Sequence, residues 1–483
     1  MHRAVGARIG HRGSPNQLAR WLIVIQTYLL AAALVGAVSV LALTRPNQLT
    51  PLQVVLSAAI VIVGMLPTVL FGFSNRQHLI PFIQLHGAYY AIAYGATNLI
   101  QYGYVKLADS AALTTALFYA LLGILATYLG YGYIGTLSRG VRPLRVDLTL
   151  SDRSLFIIGA VFVGCDVATR VVPAIAALPS ASQAVFSLGF LGSCFLAAVV
   201  VKQGVRAWVR VPAIAVLGAY VLVRLAEGTL APPMLIGATC VVMYWYHRRR
   251  IPWLVIGTVI VGYALINPTK NEIRATTWGG NYTLSEQVDV FLDVAWEQLS
   301  DFGHRSQFEE QKYFATSLTR LGGAQLFART LEQIPAHAPF WEGRSLLPLL
   351  TKPIPRIFWA DKPEENIGNT FGRIVIGVLD PGDYVTAVNI PWIVDLYANF
   401  GLAGIVVGMT IIGIFLRYLV EKFSGTPGNP LRFYFGVALV LPLFWAESNI
   451  SGMLGGLFWS FVLYYVTFRA LRVLFPNNQR LGR

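Results

Sequence analysis

Long apolar runs, separated by short polar stretches rich in arginine, cover most of this chain. They predict twelve helices, at roughly 20–43, 51–73, 79–100, 111–134, 154–173, 183–201, 211–228, 231–246, 251–267, 391–418, 430–447 and 450–472. Most approach the ~20 apolar residues that a bilayer-spanning helix needs. The stretch 268–390 has no such run, yet it is periodic: Leu284, Val288, Phe291, Leu292, Ala295, Leu299 and Phe302 recur at helix spacing. A second proline-free stretch, about 307–333, ends before Pro335. A loop of this length without structure of its own is unusual, so it is read as a mostly helical cap. The chain then divides into helices 1–9 within 1–267, the loop 268–390, and helices 10–12 with a tail within 391–483.

The charges orient this layout. With the N-terminus in the cytoplasm, the alternating cytoplasmic segments hold twenty-two lysines and arginines, while the short loops on the far side hold Arg45, Lys106 and Arg170. Such asymmetry orients membrane proteins, and one helix more or fewer would destroy it. Both termini are therefore expected in the cytoplasm, and the large loop on the periplasmic face of the inner membrane. That loop has eleven basic and fifteen acidic residues, a net −4 in a chain of net charge +14. The basic excess marks a membrane face and calls for no nucleic acid.

Composition agrees: 55% of residues are hydrophobic and 12% charged, against about a quarter charged in soluble domains. Cys165, Cys194 and Cys240 lie inside apolar runs, as small buried hydrophobes do. The first run, Trp21–Leu43, is long enough to be read as a retained anchor rather than a cleaved signal.

Ionisable groups inside a bilayer are costly and mark candidate sites. In this register Asp166, Arg170, Arg224, Glu227, Asp395 and Glu447 all fall in the outer half of the membrane, and His86 is the main polar group of the inner half. This distribution favours a site opening outward over a transport path. The plainer alternative is intrahelical pairing, Asp166 with Arg170 at i,i+4 and Arg224 with Glu227 at i,i+3. In the loop, Arg320, Arg329, Arg344, Lys352, Arg356 and Lys362 fall within 43 residues, and arginine grips phosphate oxygens bidentately. His337 and His304 are the loop's histidines. The acidic row Asp289, Asp293, Glu297 and Asp301 repeats every four residues and reads as a solvated face. The loop has neither a Cys or His-rich metal spacing nor a Gly-Lys-Ser/Thr phosphate loop.

Two segments carry a resemblance: Pro355-Arg356-Ile357-Phe358-Trp359-Ala360-Asp361-Lys362-Pro363, and Asp395-Leu396-Tyr397-Ala398-Asn399-Phe400-Gly401-Leu402-Ala403-Gly404. Together with Gly343-Arg344 and the Pro335–Pro339 turn, they resemble the Wzy-type oligosaccharide repeat-unit polymerases of O-antigen and exopolysaccharide synthesis. The motif match covers about 320–405, and the helix layout is similar along the whole chain. Structural readings stand beside it: a rigid re-entry into the membrane for the first segment, and helix packing through Gly401, Gly404 and Gly408 for the second.

The resemblance implies an all-α, GT-C-like membrane glycosyltransferase that needs no metal and no other cofactor. It would transfer a growing glycan from undecaprenyl pyrophosphate to an acceptor repeat unit on the same lipid. A chain-length regulator is a candidate partner besides the lipid bilayer. On that reading Arg224, Arg344 and Arg356, with Arg320 next, bind pyrophosphate and stabilise charge developing on it. His337, Glu227 and Asp395 are, in that order, candidates for the base that deprotonates the acceptor. An O-antigen ligase or another lipid-linked glycosyltransferase stays open, as does a transporter or flippase of lipid-linked sugars.

Overall fold

The structure is a computed structural model, described for residues 31–43, 49–71, 80–100, 109–133, 141–172, 181–248, 250, 252–267, 269–278, 280, 282–301, 322–354, 358–359, 361–362, 365–424 and 429–476. Regular secondary structure among these residues is entirely helical. Helices occur at all twelve positions where apolar runs predict them: α1 (Ala31–Leu43), α2 (Pro51–Phe71), α3 (Phe82–Tyr90, extended by a π turn at Ala91–Ala96 and by Thr97–Ile100), α4 (Ser110–Tyr128, with a π turn at Leu129–Tyr133), α5 (Asp152–Val171), α6 (Ala181–Val201), α7 (Ala207–Ala226), α8 (Ala231–Arg248) and α9 (Trp253–Ile266). The loop contributes α10 (Thr269–Thr277), α11 (Leu284–Ser300), α12 (Gly323–Gln333) and the single turns α13 (Pro348–Thr351) and α14 (Ile367–Thr370). Then follow α15 (Trp392–Phe423), α16 (Pro430–Val440) and α17 (Ile450–Leu474). Six of these, α2, α4, α5, α7, α15 and α17, are long and apolar enough to cross a bilayer. The protein is thus an all-α membrane protein.

Two elements differ from expectation. The α16 helix is expected to reach 447, but it tightens into a 3₁₀ turn at Leu441–Phe444, where Pro442 has no N–H to continue the α-helical ladder. The long α15 is broken at Gly401. In the loop, the stripe from Leu284 forms α11 as predicted, with Asp289, Asp293, Glu297 and Asp301 exposed along it. Of the second predicted stretch, residues 323–333 form α12 and 307–321 lie outside the described residues.

Close backbone approach holds the bundle together. A Cβ on Gly87 would strike the Gly64 carbonyl between α3 and α2; on Gly192 it would strike the Gly159 carbonyl between α6 and α5. A Cβ on Gly413 would strike the Thr127 carbonyl between α15 and α4. Such contacts replace the hydrophobic effect, which offers nothing between helices already in hydrocarbon. Phe82, His86, Tyr90 and Tyr94 recur every fourth residue along α3 with successive ring centres 5.1–5.8 Å apart, Phe82 stacked on His86 and Tyr90 on Tyr94, and Trp392 packed on His86. His86 is therefore a packing residue.

The two ends of the bundle differ. Basic connections meet at one of them: Lys202 pairs with Asp152 at 2.6 Å, Arg248 donates to the Val201 carbonyl, and Arg432 to the Leu144 carbonyl. The large loop covers the other end. There Ile273 of α10 and Phe291 and Val294 of α11 close an apolar cluster on Ala226, at the end of α7. Phe327 of α12 packs on Tyr119 of α4 and Tyr397 of α15.

Candidate functional site

The site begins with the break in α15. Gly401 has φ 62° and ψ −149°, a region open essentially to glycine alone. A break there denies the carbonyls just before it their donors in the next turn. The loop supplies them. The Trp341 amide donates to the Ala398 carbonyl at 2.8 Å and the Glu342 amide to the Asn399 carbonyl at 3.1 Å. The Gly343 amide, at φ 90°, donates to Asn399 Oδ1 at 2.9 Å. Tyr397 Oη donates to the Ile334 carbonyl at 3.0 Å. The Phe340 ring comes within 3.3 Å of where a Cβ on Gly401 would be, and Phe400 within 3.4 Å of the same position on Gly343. Residues 334–347 are thereby fastened to Tyr397–Gly401, a run the sequence marks by resemblance. The nearest neighbours of Gly404 and Gly408 lie in α15 itself. These glycines give room to Leu396, on the other side of the break in their own helix.

Beneath this platform lies Asp395, with no exposed surface. One carboxylate oxygen accepts from Ser345 Oγ and, at 3.1 Å, from Asn399 Nδ2; the other accepts from the Ile450 amide at 2.9 Å. Ile450 opens α17, so the carboxylate sits at the positive end of that helix. Both oxygens are committed, which makes Asp395 a fastening residue between loop, α15 and α17 rather than a free base.

Beside it Glu365 pairs with Lys352 and accepts from Ser451 Oγ and from Asn449 Nδ2. Burial by itself raises the Glu365 carboxyl, but the Lys352 and Ser451 hydrogen bonds, the Lys352 charge and the Asn449 amide outweigh it and hold the group below its ordinary value. A carboxyl lowered on folding adds stability that is present above its unfolded pKa of 4.5 and is lost as the pH falls through the lowered folded value. Glu365→Gln is therefore expected to melt below wild type at neutral pH, and the gap should narrow as the pH falls below 4.5. A gap of constant width in a pH series of detergent melts would remove Glu365 from this role.

A second polar centre joins the ends of α5 and α7. Arg170 pairs with Asp166 at 2.9 Å and with Glu227; Arg224 pairs with Asp166 and, at 3.1 Å, with Glu227. Tyr220 Oη donates to Asp166 at 2.6 Å, and the Arg224 guanidinium stacks 4.6 Å over Phe186 of α6. Both intrahelical pairs anticipated from spacing are present, and two interhelical pairs close them into a neutral quartet. The Arg224 side chain is 4% exposed. Its guanidinium and the Glu227 carboxylate are spoken for, which leaves them no free charge for a pyrophosphate or an acceptor proton. Among the described residues no hydrogen bond or ion pair links this quartet to the platform. An apolar cavity of about 430 Å³ lies on the far face of α7, between α8 and α9, and none of the candidate residues lines it.

His337 and Arg344 remain, both exposed on the fastened segment. His337 Nδ1 lies 3.2 Å from the Glu332 carbonyl. A carbonyl only accepts, so Nδ1 carries the proton and the neutral ring keeps its lone pair on Nε2. Arg344 has no ion pair among the described residues. Arg320 and Arg356 lie outside the described residues. Arg329 pairs with Glu332 at 3.0 Å, and Glu447 accepts from Trp445 Nε1. No motif in the sequence marks Ser345, Tyr220 or Glu365; Asn399 stands there within the Asp395–Gly404 run.

The fold and this site define an all-helical, membrane-embedded protein whose large loop is pinned to a broken helix. The chain belongs to the family described as Domain of unknown function (DUF8712), matched over residues 89–475. No curated protein and no solved structure matches it.

Proposed function

We propose that the protein is a repeat-unit polymerase of the Wzy type. It would span the inner membrane twelve times in a GT-C-like arrangement with both termini in the cytoplasm, and polymerise undecaprenyl-pyrophosphate-linked oligosaccharides at the periplasmic face. One observation carries this reading. The Gly343-Arg344 segment and the Asp395–Gly404 run, about fifty residues apart and both part of the resemblance, are bonded to each other through Trp341, Gly343 and Ser345 on one side and Ala398, Asn399 and Asp395 on the other. The bonding leaves His337 and Arg344 exposed on one rigid support.

The chemistry follows from those two side chains. His337 Nε2 takes the proton of the acceptor hydroxyl. The acceptor oxygen forms a bond to the anomeric carbon as the bond from that carbon to the pyrophosphate oxygen breaks. The pyrophosphate leaves with the electron pair, and the Arg344 guanidinium stabilises the charge developing on it. Arg320 and Arg356 are proposed as further pyrophosphate ligands. Arg224, Glu227 and Asp395 are assigned structural roles, because their charged groups are already engaged.

The lipid-linked glycan profile of a deletion strain tests this. Single repeat units should accumulate on the lipid, and the wild-type gene should restore long polymer. An Arg344→Ala gene should yield about 10²-fold less polymer at normal protein level. Long polymer in the deletion strain would refute the reading. Long lipid-linked polymer that is no longer passed to its final acceptor would point to a ligase instead.

A further inference from the structure

We infer that residues 344–354 re-enter the bilayer beside the first turns of α17, and that their exposed apolar face is a contact surface for lipid acyl chains. This does not depend on the proposed polymerase activity. Three independent observations carry it.

The first is depth. The Lys352 stem lies in the notch left by Gly455, where a Cβ would meet Lys352 Cδ at 2.7 Å. Trp459 Nε1 donates to the Lys352 carbonyl at 2.9 Å. These positions are five and nine residues into α17, which starts at Ile450, so the contacts lie roughly 8 and 14 Å down the helix axis. Since α17 is long and apolar enough to span, those depths fall below the headgroups and inside the hydrocarbon of that leaflet.

The second is backbone chemistry. Irregular chain at membrane depth is tolerated where its N–H groups are satisfied internally. The amides of Leu346, Leu347, Leu349, Leu350, Lys352 and Ile354 all donate to carbonyls within 343–351, at 2.8–3.2 Å. Pro348 and Pro353 have no N–H to satisfy. The Lys352 charge is neutralised by Glu365. The segment thus offers lipid little unpaired polarity.

The third is what it exposes. Leu350 is 76% exposed, Leu347 59% and Ile354 41%. This face continues the bare apolar side of α17, where Phe458, Phe461 and Tyr465 are 41–54% exposed. That continuity with the membrane-facing surface commits the occupant to acyl chains. At one end of the segment Arg344 is exposed, placed to reach headgroup phosphates; at the other, Lys362 Nζ donates to the Ile354 carbonyl at 3.0 Å.

The test uses the full chain in vesicles of phosphatidylethanolamine and phosphatidylglycerol, opened by freeze–thaw so that water reaches both faces. Leu350→Cys and Leu347→Cys are compared with Val385→Cys, whose side chain is 93% exposed in the same loop. Peptide mass spectrometry locates modification, so the native cysteines stay. A thiol reacts as its hydrated thiolate, so a sulfonated maleimide should modify positions 350 and 347 at least about tenfold more slowly than 385. All three should react alike after SDS. A phosphatidylcholine with a diazirine on its acyl chain should cross-link to peptide 346–354 of the unaltered protein, which needs no variant to fold. Labelling at 350 within about twofold of 385 would make the face aqueous and overturn the inference. Protection without acyl cross-linking would mean that protein covers the face, and would overturn it equally.

Discussion

Arg224→Ala is expected to cost the protein about 3–5 kcal/mol of stability and to lower its melting midpoint in detergent. Removing that guanidinium leaves Asp166, which has no exposed surface, facing Tyr220 and Arg170 with half its compensation gone. Breaking one side of a buried ion pair is costly because the other charge stays in a low dielectric. Removing both charges is far cheaper, so Arg224→Gln combined with Asp166→Asn should recover much of the loss. A residue held ready for an anionic ligand behaves in the opposite way: its removal leaves the unliganded protein as stable as before, or more so. Thermal melts of the single and double variants decide the matter. An unchanged midpoint for Arg224→Ala would return Arg224 to the pyrophosphate site.

The quartet illustrates what can be read from one chain. The i,i+3 and i,i+4 spacings of Arg224–Glu227 and Asp166–Arg170 announce pairing within a helix. The partner across the bundle is 58 residues away in sequence, and nothing in either helix records which face meets which. The apolar runs are legible for a different reason. A bilayer demands a continuous stretch of about 20 apolar residues, so helices stand at all twelve predicted positions whatever their packing. The bonding of basic connections to one another, as in Arg248 to Val201 and Arg432 to Leu144, likewise follows from a charge pattern visible along the chain.

The platform was legible only as a motif. Tyr397, Asn399 and Gly401 stand out by resemblance, and Gly401 with Gly404 and Gly408 reads as a helix-packing stripe. The decisive fact is a backbone angle: φ 62° at Gly401 breaks the helix and exposes carbonyls that the loop must satisfy. Glycine permits that angle without requiring it, so the break is a tertiary outcome. Glu365 had no signal at all, lying in a polar Glu-Glu-Asn stretch whose meaning comes from Lys352, Ser451 and Asn449 packed around it.

The second large effect concerns His337. With Nδ1–H held by the Glu332 carbonyl, Nε2 presents an uncommitted lone pair on the fastened segment, alone among the three residues the resemblance offers as the base. Glu227 and Asp395 have theirs engaged. A general base contributes about 10²–10⁴-fold to rate, without contributing to the fold when its ring is exposed. His337→Gln should therefore leave melting and lipid-linked substrate binding as in wild type and act on turnover alone.

Single-turnover transfer by purified protein supplied with a lipid-linked repeat unit measures this directly. The account predicts that His337→Gln forms the first glycosidic bond about 10²–10⁴-fold more slowly than wild type, at equal substrate occupancy and equal melting temperature. A His337→Gln protein that forms this bond at the wild-type rate would contradict it.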